Sequence, residues 1–542
     1  MAPALVCPAC ARAQTSDTLP AYTLEGLVVS VTRAPAVRTD LPQRIDVVTR
    51  TDLARSGAED LAAILKKQAS LDVIEFPGLL SGVGIRGFRP QISGIGQRTL
   101  LLIDGRPAGI TNLALIDPHT LERVEVLKGP ASALYGSNAM GGAVNLVTRR
   151  STGPAYASSS VAYGSWDTRE ANFAAGGSVG SILDFDLALS TWERNEPYRI
   201  GDGNVFRDLL GDGSVTRTFA NDSTAVAADL GDGQTRSFTE YGTRSGSVRL
   251  GIELNDGWRV DASANRFEAD DVENPGDIFF DAAQRSLKNV ARTTGDVAVS
   301  GELANHAPTL RVFAAREESE FYDRPEGENF IAFRTPTRWW GAQLQDVIRE
   351  GPHSLVYGVD YTLARAESER FSTPDERAAP FSPDAETRSR AAFAELRFAT
   401  PDERWTGTLA GRFDDLRFEV RDTPLLTGLV PDEESRTVFN PSAGLQYAAP
   451  GGVRVHGTIG RAFIAPDAFN VAGFAERAAG PGTVALTRGN PELEPEHSGT
   501  WDAGIGISRP RAGLDADLTY FHTDVEDRIT TRRSPPETTM LT

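Results

Sequence analysis

The sequence predicts a small α+β domain followed by a long transmembrane antiparallel β-barrel. Three observations predict it. Residues 121 to 150 read as a strand, a glycine-rich turn and a second strand. From Ala155 onward, segments of about ten residues alternate small or apolar side chains with polar ones, and the turns between them are alternately short and long. Composition agrees: 40% of the 542 residues are hydrophobic, mean hydropathy is −0.28, and no apolar run is long enough for a membrane helix. Barrel strands need apolar residues only at alternate positions, so this composition suits them.

At the N-terminus, Cys7 and Cys10 are the only cysteines and lie in MAPALVCPACARAQ. Ala11-Arg12-Ala13 before Gln14 is an A-x-A-type cleavage site, although a basic start and a full apolar core are lacking, so residues 1–13 read as the remnant of an export signal. A C-x-x-C metal or redox site competes, but there is no second pair and no nearby histidine. Tyr22 to Arg33 is a short β-prone stretch that can add to another protein's exposed sheet edge. An ordinary first strand is the rival for Val28 to Thr32.

The first domain follows. Ser56-Gly57-Ala58-Glu59 matches a capping box, Leu61, Ile64 and Leu65 recur at helical spacing, and Lys66-Lys67 close the helix near its negative end. Strands are expected around Ile85, Leu101 to Ile103, Val124 to Leu127 and Val144 to Val147. In the run from Leu121 to Arg150, Gly129-Pro130, Gly136-Ser137-Asn138 and Gly141-Gly142 supply the tight turns. A phosphate loop is excluded by spacing, because Lys128 precedes the glycines.

The second domain shows period-2 patterning. Leu183, Phe185, Leu187 and Leu189 alternate with Asp184, Asp186, Ala188 and Ser190, and Val248, Leu250, Ile252 and Leu254 alternate with Arg249, Gly251 and Glu253. Short turns are expected at Asn255-Asp256-Gly257, Ala304-Asn305-His306, Arg349-Glu350-Gly351, Thr400-Pro401-Asp402, Ala449-Pro450-Gly451 and Ser508-Arg509-Pro510. Long polar loops are expected at 196–235, 269–285, 322–336, 367–385, 419–434 and 467–495. Trp192, Trp258, Trp339, Trp340, Trp405 and Trp501 fall near strand ends, where aromatic girdles belong. About fifteen strands result, an odd number for a single-chain barrel.

Charge is uneven. Residues 1–150 carry 16 basic and 13 acidic side chains, and the remainder is net −22 within a total of −19. An acidic second part argues against nucleic acid and is expected to reflect acidic surface loops. No G-x-S-x-G or H-E-x-x-H is present and the six histidines are scattered, so no enzyme is expected.

The run from Glu122 to Arg150 resembles the end of the plug domain of TonB-dependent outer-membrane receptors. Val83-Gly84-Ile85-Arg86-Gly87-Phe88 resembles the family's IRGF segment, and Leu101 to Pro107 its LLIDG strand and turn. The resemblance implies a periplasmic tail at 14–34, a plug at 35–150 and a 22-stranded barrel beginning at 151, in the outer membrane of a Gram-negative-type bacterium. It marks plug-motif residues Arg86, Gly87, Asp104, Gly105, Gly129, Pro130, Tyr135, Gly136, Gly141 and Gly142; Arg86 is a candidate for plug-to-barrel ion pairing, or else a solvated arginine. It also places the TonB box at Leu24, Glu25, Gly26, Leu27, Val28, Val29 and Ser30, gripped by TonB with its inner-membrane energising complex. Because such receptors end on a strand with a terminal aromatic residue and this chain ends Met540-Leu541-Thr542, a fragment lacking roughly seven strands is expected.

The implied function is active import of a scarce, bulky ligand, a ferric siderophore or cobalamin. A passive channel or adhesin, or a non-functional truncated receptor, are the alternatives. Arg461 to Pro466 and Gly489 to Glu496 resemble paired motifs of cobalamin, siderophore and haem receptors. No histidine lies between them, which ranks haem lower. No cofactor is required. Loop 196–235 carries Asp202, Asp208, Asp212, Asp222, Asp229 and Asp232, enough carboxylates for a structural calcium ion, or simply for solubilising aspartate-glycine turns.

Overall fold

The computed structural model describes residues 28–530 except 57–59, 69–70, 92–95, 110–111, 200–213, 220–221, 228–237, 255–256, 276–285, 324–328, 427–431, 468–469, 472–473, 481–482, 491 and 510–511. In the first domain, β1 (Val28–Val29) pairs with β2 (Ala36–Val37). There follow β3 (Arg44–Thr49), α1 (Arg50–Arg55), α2 (Leu61–Gln68), β4 (Asp72–Phe76), β5 (Leu80–Gly84), β6 (Thr99–Ile103), β7 (Arg106–Pro107), β8 (Leu121–Lys128), α3 (Ser132–Tyr135) and β9 (Gly142–Thr148). A mixed sheet in the order β3-β8-β9-β6-β7 forms the centre, with β6 and β9 parallel. Leu61, Ile64 and Leu65 pack beneath it against Leu101, Val124 and Val144.

Gly57, Ala58 and Glu59 of the expected capping box lie outside the described residues. Ser56 donates to the carbonyl of Leu53 at the end of α1, and in the first turn of α2 the Asp60 carboxylate accepts from the Ala63 amide at 2.8 Å. A reciprocal box also opens α1, where Thr49 and Asp52 exchange hydrogen bonds. Periodicity located α2, but the six-residue α1 is too short to show any.

The wall follows as β10 (Tyr156–Gly164), β11 (Thr168–Val179), β12 (Leu183–Arg194), the loop hairpin β13 (Ser214–Phe219) and β14 (Asp222–Ala227), then β15 (Tyr241–Glu253), β16 (Trp258–Asn274), β17 (Ser286–Gly301), β18 (Thr309–Asp323), β19 (Phe330–Glu350) and β20 (His353–Ala366). A second loop hairpin, β21 (Glu369–Thr373) and β22 (Glu376–Ala378), precedes β23 (Ala385–Ala399), β24 (Trp405–Val420), β25 (Asp432–Ala449) and β26 (Val453–Ile464). The third hairpin, β27 (Phe474–Gly480) and β28 (Thr483–Arg488), precedes β29 (Glu496–Arg509) and β30 (Leu514–Glu526). Fifteen long strands pair antiparallel in sequence order, and β21 and β22 extend the same sheet to seventeen. Among the described residues, β10 and β30 are its outer strands.

All six short turns fall between paired strands, while two long loops are shorter than expected. β16 continues past a register shift at Ala269 and Val272 to Asn274, and β18 and β19 stay paired until Asp323 and Phe330. These strands rise above the membrane, where polar residues serve as well as apolar ones and the alternation that marks a strand fades.

Alternation separates the two faces. On β24, Leu409 and Phe413 are about half exposed, while Thr408, Arg412 and Asp414 are buried. The exposed set is the lipid face. Three ring pairs decorate it: Trp405 with Tyr447 beside a short turn, and Trp340 with Tyr361 and Trp501 with Tyr520 farther up their strands. Trp192 and Trp339 depart from the girdle, because their register turns them inward: Trp192 shares its face with Ser190, which bonds the plug, and Trp339 packs on Gly109.

Candidate functional site

The first domain sits as a plug inside the wall, and basic plug residues meet acidic wall residues at every level. Arg86 pairs with Asp502 at 2.8 Å, Arg106 with Asp296 at 3.1 Å, and Arg98 grips Glu496 through two bonds of 2.5 and 3.0 Å. Arg38 reaches Asp515 and Arg44 reaches Asp517. The acidity of the second part is therefore not confined to surface loops. Asp296, Asp360, Glu496, Asp502, Asp515 and Asp517 line the lumen, where each pairs with an arginine of the plug.

The tail segment is held by plug and wall together. Val28–Val29 is a strand of the plug, and Val29, Val31 and Ala34 are buried in its core, so residues 28–34 belong to the folded plug rather than to a free tail. Leu24, Glu25, Gly26 and Leu27 lie outside the described residues. Ser30 donates from its amide to Glu125 at 2.9 Å, and Glu125 is itself fully buried and bonded by Asn145 and Arg123. The next three carbonyls are each taken: Val31 by the Tyr135 hydroxyl at 3.0 Å, Thr32 by Arg397 at 2.8 Å and Arg33 by Gln345 at 3.0 Å.

The Arg33 side chain completes this clasp. Its guanidinium forks onto Asp360 at 2.6 and 3.1 Å, donates to the carbonyl of Leu134, and lies between the rings of Tyr135 and Phe393 at 4.5 and 4.4 Å. Arg412 joins Asp360 from the other side at 2.6 Å and Asp414 at 2.9 Å. All four charged side chains are less than a tenth exposed. Burial and the Arg33 guanidinium act in opposite senses on the Tyr135 hydroxyl, and burial prevails, raising it well above an ordinary phenol. A cavity of about 160 Å³ runs from this clasp to Gln97 and Asp467 at the opposite end of the plug.

The plug-motif glycines set close approaches. Gly136 has φ +78°, and a Cβ there would lie 2.7 Å from Asp414 and 2.8 Å from Arg412. Gly142, at φ +144°, would place a Cβ 2.0 Å from the Leu127 carbonyl. Gly129, Pro130 and Gly141 close the same bend: the Gly129 amide donates to the Gly141 carbonyl at 3.0 Å, and Pro130 faces Gly460 of the wall. Asp104 binds the amide and hydroxyl of Thr148, and the Gly105 amide donates to Asn145. Gly87 turns the chain at φ +81° after Arg86.

On another flank, Asp117 accepts from Ser190 at 2.6 Å and also from Ser245, and His119 meets Glu170 at 3.1 Å. The bond from Glu170 raises the His119 imidazole above its ordinary range, with burial opposing. A cavity of about 580 Å³ opens here between α1, α2 and the wall, lined by Asp117, His119, Trp166, Trp192 and Tyr241 among others.

The side chains of Asp202, Asp208, Asp212, Asp222, Asp229 and Asp232 lie outside the described residues; only the backbone hairpin of β13 and β14 is seen in that loop. Among the described residues no group of three acidic, histidine or cysteine side chains is placed to hold a metal. Sequence reasoning did not single out Arg33, Glu125, Asp360, Arg397 or Arg412. The only signal was charge at inward positions of otherwise ordinary strands, and nothing in the chain pairs Arg33 with a partner 327 residues away.

A basic plug clasped inside an acidic-lined wall whose outer face is apolar defines an outer-membrane transport receptor. The chain belongs to the TonB-dependent receptor family: a model of the TonB-dependent receptor-like β-barrel matches residues 165–541, and one of the TonB-dependent receptor plug domain matches 37–143. It is similar to the iron-regulated outer membrane virulence protein of Vibrio cholerae, 24% identical over 93% of this chain and 69% of that protein. It is also similar to the ferric enterobactin receptor PirA of Pseudomonas aeruginosa, 26% identical over 90% of this chain and 68% of that protein. In fold it resembles the ferric yersiniabactin uptake receptor FyuA of Yersinia pestis, with TM-score 0.63 and 16% identity over 90% of this chain and 73% of the other. The family consists of receptors of the Gram-negative outer membrane, not enzymes.

Proposed function

We propose that the chain imports a ferric siderophore, driven by TonB pulling on Leu24 to Ser30. The observation that carries this is the clasp. Ser30, the last residue of the box, and residues 31–33 are held by plug and wall together, so withdrawing the tail removes Glu125, Tyr135, Arg397, Gln345 and Asp360 from their partners at once. The cavity beside Arg33 then loses that guanidinium from its wall. The names of the ferric enterobactin receptors among the relatives support an iron chelate over cobalamin.

Deleting Leu24 to Leu27, which leaves the folded residues 28–34 in place, tests it. Uptake of radioactive ferric siderophore by whole cells should vanish while surface binding persists; uptake unchanged by the deletion would leave a passive channel instead. Structural calcium in loop 196–235 is a separate proposal resting on its six aspartates. Calorimetric titration should show binding that is lost when Asp202, Asp212 and Asp232 become asparagine.

A further inference from the structure

Above the plug, one lumen-facing row crosses four strands and sets a cation at each end of a run of aromatic rings. Val290 and Arg292 of β17 touch the plug, Val290 in its core and Arg292 on the carbonyl of Ala108. Lys288, two residues farther toward the mouth, therefore points to the same side. Register carries the row onward from Lys288 to Phe321 of β18, Phe333 of β19 and Arg370 of β21. The side chains touch along the row, with Phe381 between Phe333 and Arg370. Lys288 Nζ lies 5.6 Å over the Phe321 ring, Phe321 stacks on Phe333 at 4.2 Å and 13°, Phe333 meets Phe381 edge-on at 6.0 Å, and Arg370 lies 4.4 Å over Phe381.

The plug reaches the same place. Gly78, in the turn between β4 and β5, lies close enough to Asn274 that a Cβ there would sit 3.1 Å from it, and Asn274 pairs with Ser286, two residues from Lys288. Phe76 at that turn is about half exposed.

Charge separates this row from the rest of the lumen. The plug arginines described above each have a carboxylate. Among the described residues neither Lys288 nor Arg370 is ion-paired, although Lys288 is only 4% exposed, and the nearby Glu317 is taken by Arg292 at 3.0 Å. A buried ammonium that lies over a ring and whose nearby carboxylate is already paired with an arginine is poorly compensated. An anion entering the mouth would supply the missing charge, and flat aromatic faces would give it a surface to stack on.

We propose that Lys288, Phe321, Phe333, Phe381 and Arg370 form the subsite for an anionic aromatic iron chelate, the ferric tris-catecholate class. This rests on the import reading above and names its cargo. A ferric tris-catecholate carries three negative charges on three planar rings; a ferric tris-hydroxamate is uncharged and has none.

Binding to outer-membrane vesicles holding the full chain tests it, with ferric enterobactin and ferric desferrioxamine as probes and intrinsic tryptophan quenching as readout. Ferric enterobactin should bind, and Lys288→Gln and Arg370→Gln should each weaken it about tenfold or more. Lys288→Arg should retain binding, and Phe333→Leu, which keeps apolar volume, should also weaken it. Deletion of Leu24 to Leu27, which spares the folded residues 28–34, should leave all these values unchanged, so failed import and failed recognition are read separately. Equal affinity for both chelates, or ferric enterobactin binding unaltered by Lys288→Gln, Arg370→Gln and Phe333→Leu, overturns the subsite.

Discussion

Asp360 joins two arginines, one from the plug and one from the wall, and its loss would leave both guanidinium groups facing each other in a buried site. Removing one partner from such a cluster costs about 3–5 kcal/mol. Asp360→Asn should therefore loosen the tail: a cysteine placed by Val31→Cys, a fully buried position, should react with thiol reagents about a hundredfold faster or more in the Asp360→Asn background. Unaltered labelling would show that the clasp does not hold the tail. His119 supplies a pH dependence. Its imidazole is raised above 6.5 by Glu170, so its contribution to plug docking is complete below the unfolded value and is lost as pH rises through the folded one. Thermal stability should fall as pH climbs through the neutral range, and His119→Gln should flatten that slope.

At the scale of elements, the bend between β8 and β9 is where sequence and packing depend most on each other. Gly136 holds φ +78° at a point where a Cβ would run into Arg412 and Asp414. Gly136→Ala adds about 1–2 kcal/mol of backbone strain before the clash with the wall is counted. Its melting temperature should drop by several degrees, whereas Gly153→Ala, with open space around it, should be neutral. This bend was legible because turns need glycine locally. The clasp beneath it was not, since Glu125, Arg397 and Asp360 read in the chain as ordinary polar members of alternating strands.

For the whole molecule, the apolar outer face fixes how the wall meets lipid. Leu409 is 53% exposed on β24, four residues above the ring pair of Trp405 and Tyr447. Leu409→Arg places a charge near the middle of the bilayer and should destabilise the folded wall by about 2–4 kcal/mol, seen as earlier loss of the heat-modifiable band on a gel.

The sequence by itself determined the elements and the family: period-2 strands, their short turns, the buried helix of the plug and the motif from Leu121 to Arg150 all depend on neighbours within a dozen residues. Two loops were misjudged because strands above the membrane no longer alternate. The inward tryptophans were misjudged because a one-residue register choice decides which face a side chain takes. Only the tertiary structure decided what the charges do. The net acidity of the second part was visible as a number, yet its placement on the lumen face, opposite Arg33, Arg86, Arg98 and Arg106, follows from register and from packing one domain inside another. Those contacts join residues hundreds of positions apart, and no local pattern in the chain encodes such a pairing.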